Sequence, residues 1–226
     1  RGAGAGDITL RLRRNDGPIH LETLRVSDLG GANLVASGVL SGERPALTGK
    51  LTASRLEALL ELAERVVPHA ALPFIAARAA SLAPADLAVD WSSNPAQAGK
   101  SSLRINGRLG ATVLDGTFRL DGDGGLDGAN ALALSLKAPE PSNLLRQIGI
   151  DAIPIGGAGA VDLALAGSGP PANGAETPWS LRGSFGGMNI VATAAWTSRA
   201  EEPLRGTLAL ATPDFFPLAQ TMLLAV

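Results

Sequence analysis

The chain has 226 residues, enough to bury a sizeable core as one large domain or two small ones. With 19 basic against 21 acidic residues, a net charge of -2 and no basic cluster interleaved with aromatics, the composition argues against a nucleic-acid partner. The absence of cysteine excludes a disulfide framework and thiolate metal sites, and no apolar run reaches the roughly 18 residues that a membrane-spanning helix needs.

Taken in chain order, "RGAGAGD" lacks the apolar centre of a signal peptide and leads into "DITLRL" from Asp7. There Ile8, Leu10 and Leu12 alternate with Thr9 and Arg11, which predicts a strand with one apolar face. "GGANLVASG", Gly30 to Gly38, reads as a tight turn followed by a strand whose Leu34 and Ala36 share the next apolar face. It is echoed by "LGATVLDG" from Leu109 and "GGMNIVATA" from Gly186. Setting Gly31, Gly110 and Gly187 at equivalent positions gives a period of roughly eighty residues, the mark of a repeat architecture.

After the strand-like "LTGKLTA", Ser54 with Glu57 three residues on reads as a capping box, with Pro68 as the stop. Leu56, Leu59, Leu60 and Ala63 fall on one face of that helix. "HAALPFIAARAASLAP", His69 to Pro84, predicts a second short helix interrupted near Pro73, an insertion over 69–83 special to the first unit. Alternation then resumes in order: Leu87, Val89 and Trp91; Leu103 and Ile105; Leu132, Leu134 and Leu136. Ser142 is placed to cap "NLLRQIGI". Val161, Leu163 and Leu165 follow, then Trp179, Leu181 and Phe185, then Ile190, then Leu208 and Leu210. Pro213 and Asp214 open a last helix with Phe215 and Leu218 inward.

The expected fold is therefore mainly β (α+β). It consists of units of about four antiparallel strands plus a short helix, bounded at 1–84, 85–157 and 158–226, with the third truncated, in one continuous repeat domain. The chain is expected to be a segment of a longer polypeptide.

The motifs that suggest chemistry mostly fail on position. "GAGAGD" and "GGAGAVD" (Gly156 to Asp162) precede strands, whereas a dinucleotide loop must open a helix. Counted from Asp121, "LDGDGGLDG" puts Leu126 and Leu132 where a calcium loop needs glycine and a carboxylate, so it reads as an exposed hairpin turn. His20 and His69 have no ligand at metal-binding spacing, and Ser184 in "RGSFGG" has Arg182 where a nucleophile elbow needs glycine. Glu201 and Glu202 read as a solvated loop, and Trp91, Trp179 and Trp196 as strand packing. No catalytic residue, metal or cofactor is expected. An enzyme reading would need two of Asp86, Asp90, Asp115 and Asp162 to converge in a cleft.

Phrases such as "LTASRLEALLELA" and "LKAPEPSNLLRQIGI", in which a strand runs through Ala and a polar residue or Pro into a short Leu-Leu helix, resemble the AsmA-like proteins of Gram-negative bacteria. That superfamily includes TamB-type proteins and is similar to the bridge-like lipid transfer proteins. The resemblance covers nearly the whole chain. It implies an elongated, curved, taco-like β-groove in the periplasm, attached to the inner membrane by a segment outside this chain. The implied role is phospholipid transport between inner and outer membranes and outer-membrane biogenesis, with phospholipid acyl chains as ligands and envelope assembly proteins as candidate partners.

On that reading the lipid-contact candidates are Leu10, Leu12, Leu34, Leu87, Val89, Leu103, Ile105, Leu134, Leu136, Leu163, Leu165, Leu181, Ile190 and Leu208. Two alternatives stand beside it: a structural or adaptor domain for outer-membrane protein assembly with its apolar face packed shut, and an envelope hydrolase.

Overall fold

The structure, a computed structural model, describes residues 6–14, 16–66, 69, 71–94, 100–120, 129–150, 159–169, 176–196 and 204–212. Twelve strands form one open antiparallel sheet in sequence order, each paired with its chain neighbours. They are β1 (Asp7–Arg14), β2 (Ile19–Leu29), β3 (Ala32–Val39), β4 (Ala46–Ala53), β5 (Ala85–Asn94), β6 (Lys100–Leu109), β7 (Thr112–Leu120), β8 (Ala129–Ala138), β9 (Val161–Gly167), β10 (Thr177–Phe185), β11 (Met188–Trp196) and β12 (Leu204–Ala211). Three helices, α1 (Glu57–Val66), α2 (Leu72–Ala76) and α3 (Ala79–Leu82), lie between β4 and β5, and α4 (Pro141–Gln147) follows β8.

The hairpins linking β2 to β3, β6 to β7 and β10 to β11 turn on Gly30, Gly110 and Gly186, with φ of 60, 54 and 60°. A side chain is strained in that left-handed region, which is why glycine recurs there. These three glycines open the turns, so the equivalence drawn from Gly31, Gly110 and Gly187 is one residue out at Gly110. The slip matters because neighbouring strand residues face opposite ways: Leu114 rather than Val113 shares the face of Leu34 and Ile190.

Helix starts also differ from expectation. Ser54 does not cap α1, because its hydroxyl bonds the Gly31 carbonyl at 3.3 Å, and the Leu60 N–H meets the carbonyl of buried Leu56 at 2.9 Å. Burying Leu56 carries the chain inward before the helix can begin. Ser142 lies inside the first turn of α4, whose cap is Glu140, since Pro141 has the fixed φ and missing N–H suited to the first helical position. Pro73 likewise sits in the first turn of α2, and the break falls later, at Ala77 and Arg78 before α3. Pro68, the Asp121–Gly128 loop, Glu201, Glu202 and the helix expected from Pro213 lie outside the described residues.

The core sits at the end of the sheet that carries these glycine turns. Ala32, Ala53 and Ala85 are buried beneath Leu56 and Ala79, with Leu59, Leu60 and Leu82 packed against them, as the one-faced pattern of α1 predicts. A second cluster joins Ala138, Val161 and Leu163 to Leu144 of α4. The small alanines let the helices approach the strands closely. Gln147 ties the two groups together, its side-chain amide donating to the carbonyls of Leu109 at 2.8 Å and Ser81 at 3.2 Å. The Gly110 N–H is held by the carbonyls of Leu82 and Pro84.

Candidate functional site

Cross-strand register aligns the inward residues into three rows that cross every strand, the first of them partly within the helix-covered clusters through Leu51, Leu136, Leu163 and Ile190. The first runs Ile8, Val26, Leu34, Leu51, Leu87, Gly107, Leu114, Leu136, Leu163, Gly183, Ile190, Leu210. The second runs Leu10, Leu24, Ala36, Gly49, Val89, Ile105, Gly116, Leu134, Leu165, Leu181, Ala192, Leu208. The third runs Leu12, Leu21, Gly38, Leu47, Trp91, Leu103, Phe118, Leu132, Gly167, Trp179, Ala194, Gly206. No polar side chain interrupts any row. A bulge between Leu21 and Leu24 in β2 returns both to the same face.

All fourteen lipid-contact candidates fall in these rows, on one side of the sheet. Their surroundings differ. Leu163 is buried against α4, the candidates on β3, β5, β6, β8, β10 and β11 are half-buried, and Leu10, Leu12 and Leu208 on the edge strands are 57%, 54% and 65% exposed. At about 4.8 Å per strand and 3.4 Å per residue, the rows span roughly 50 by 14 Å, about 700 Å².

The opposite face is polar and exposed. Lys50 meets Asp86 at 3.3 Å, Arg104 meets Asp115 at 3.2 Å and Lys137 meets Asp162 at 3.0 Å, all with side chains more than half exposed. Such pairs contribute at most about 1 kcal/mol each; their effect is to keep this face in water. Asp86, Asp90, Asp115 and Asp162 all lie here, no two nearer than about two strand spacings, roughly 10 Å. A glycosidase carboxylate pair faces across a cleft, whereas Asp86, Asp115 and Asp162 each meet a lysine or arginine on this exposed face. His20 lies in β2 and His69 accepts the Ala71 N–H, and among the described residues no three metal-ligating side chains gather. No described helix is long and apolar enough to cross a membrane.

Two features escaped sequence reasoning. Gly107 and Gly183, near the turn ends of β6 and β10, have φ of 139 and 142° and press against the Asp86 and Asp162 carbonyls of the paired strands. Asp28, beside the turn in β2, also has a positive φ, 55°. The second feature is a cluster of cations, Arg44, Lys100 and Arg119, around one hollow at the end of the sheet away from the helices. Its members come from the β3–β4 connection and the ends of β6 and β7, far apart in sequence, so only strand register brings them together.

No protein-family model, curated protein or solved structure matches the chain.

Proposed function

We propose that this chain is a non-enzymatic periplasmic segment of an AsmA-like envelope protein, anchored to the inner membrane by a segment outside it. Its apolar face holds phospholipid acyl chains in transit between the inner and outer membranes, in support of outer-membrane biogenesis. The observation that carries this reading is the set of three unbroken apolar rows across twelve strands, with described helices over one end only.

On this reading the sheet curves around its apolar face into a taco-shaped trough. Strand twist accumulates over so many strands. The interior rows are half-buried even where no described helix reaches them, while the edge strands are exposed, as expected when neighbouring strands shield one another. The trough is built from three units, β1–β4 with α1 to α3, β5–β8 with α4, and β9–β12. Contact with a chain is hydrophobic, about 0.8 kcal/mol per buried methylene. An adaptor domain with a closed core would need cover over the second and third rows, which the described helices do not give.

The test is photo-crosslinking from Leu134, Leu165 and Leu181 in cells, with Ser135 and Thr117 on the outer face as controls. Lipid adducts should form from the three inward positions and not from the controls. Failure at all three would remove the acyl-chain reading.

A further inference from the structure

β1 ends the sheet, and on its open side no described strand pairs with it. All eight of its residues are exposed, and it contains no glycine or proline. The one irregularity in its pairing lies on the β2 side, where consecutive Arg11 and Leu12 face Thr23 and Leu21, so β1 itself runs unbroken. Its inward Ile8, Leu10 and Leu12 stop the three apolar rows at 61%, 57% and 54% exposure. A long, regular, apolar edge with unpaired N–H and C=O groups is a template for another strand.

The outer face selects that strand. Ile8, Leu87 and Leu163 stand in one row, so Asp7, Asp86 and Asp162, each one residue earlier, take the same place at the start of β1, β5 and β9. Where β4 meets β5 and β8 meets β9, this aspartate finds a lysine across the joint, Asp86 with Lys50 at 3.3 Å and Asp162 with Lys137 at 3.0 Å. Asp7 forms no ion pair among the described residues.

β1 of a second copy supplies the missing cation. Antiparallel pairing about a two-fold axis at Leu10 sets Leu10 against Leu10, Ile8 against Leu12, Thr9 against Arg11 and Asp7 against Arg13. The inner face stays apolar, and two acid–cation pairs form on the outer face. Arg13 reaches Glu22 at 3.5 Å and is still 58% exposed, so its forked guanidinium can hold a second carboxylate. Keeping the faces matched allows shifts of two residues only. One such shift sets Arg11 against the second copy's Arg11, and the other takes Leu12 and Arg13 out of the strand pair. β12 of a second copy, placed as β4 lies on β5, would set Ala211 against Asp7 and Arg205 against Arg13, with no cation for the aspartate and two like charges opposed.

We propose that two copies of this chain join through their β1 edges into one continuous sheet, with Asp7 of each against the second copy's Arg13. This joint does not rest on the acyl-chain reading. One strand from each copy makes less than the ~1,200–2,000 Å² of a standard interface, so the dimer is weak, with Kd between about 1 μM and 1 mM.

The test is sedimentation equilibrium of the wild type, Asp7→Arg, Arg13→Asp and an equimolar mixture of the two variants, with circular dichroism to check that each folds. The wild type should dimerise. Each variant alone opposes like charges and should weaken the dimer about tenfold, and the mixture should recover it, because every acid then faces a cation again. As the chain has no cysteine, Leu10→Cys gives a second readout. Oxidation should link it into a dimer well ahead of Leu208→Cys at the other edge, and this readout decides if a charge variant does not fold. A wild type that stays monomeric up to about 1 mM overturns the proposal. So does a dimer that both charge variants leave intact, a mixture that does not recover, or a link that forms through Leu208→Cys in place of Leu10→Cys.

Discussion

The Trp179 indole lies over Gly167 on the paired strand, in the space that a Cβ at Gly167 would occupy. A bare glycine leaves a gap in a sheet face, and an aromatic ring from the neighbouring strand fills it. In a Trp91→Phe, Trp196→Phe background, Gly167→Ala should displace the remaining tryptophan. Its fluorescence should shift to the red, with a stability loss of about 1–3 kcal/mol by overpacking. An unchanged spectrum would mean the ring does not rest on that glycine.

Gly107 and Gly49 are both inward glycines, yet their substitutions should differ in sign. At Gly107 the φ of 139° and the adjacent Asp86 carbonyl leave no room for a side chain, so Gly107→Ala should cost about 1–3 kcal/mol. At Gly49 the φ is ordinary and the nearest atom, the Val35 carbonyl oxygen, is 3.5 Å from an added Cβ. Gly49→Ala should therefore stabilise by about 0.4–1 kcal/mol through the unfolded state. Urea denaturation midpoints of the two variants decide the matter.

Leu56 and Leu144 anchor the helices to the covered end, at 5% and 8% exposure. Either residue changed to alanine should cost about 2–5 kcal/mol. Leu208→Ser, at a position 65% exposed, should change stability by no more than about 0.5 kcal/mol. A large loss at Leu208 in chemical denaturation would show that the outer apolar rows support the fold itself.

Thr112 is 2% exposed, and among the described residues its hydroxyl has no hydrogen-bond partner. A buried hydroxyl without a partner costs about 1–3 kcal/mol, and valine has nearly the same shape. Thr112→Val should therefore raise stability by about 1 kcal/mol, read as a higher melting temperature. A fall would point to a partner for the hydroxyl.

Strand positions and the inward face were legible because alternation has a period of two: Ile8, Leu10 and Leu12, or Leu132, Leu134 and Leu136, admit one reading. Where the pattern gave two adjacent apolar residues, as at Val113 and Leu114, sequence could not say which faced in; the turn geometry at Gly110 decides it. Helix starts were misplaced because Ser54 and Ser142 have the right chemistry for caps but bond elsewhere, Ser54 across the fold to the Gly31 carbonyl and Ser142 locally to the Glu140 carboxylate. The gathering of Arg44, Lys100 and Arg119 depends on register across four strands, which no local pattern encodes.

Because each strand pairs only with its neighbours in sequence, no long loop has to close before the sheet can grow. The widest step between paired strands, from Ala53 to Ala85, is spanned by helices that form locally. Folding can thus begin at any hairpin and spread both ways, as in a one-dimensional array. Under tension applied to the two ends of the chain, such an array yields one strand at a time from its termini, so a force ramp should give a staircase of small releases in place of one cooperative rupture.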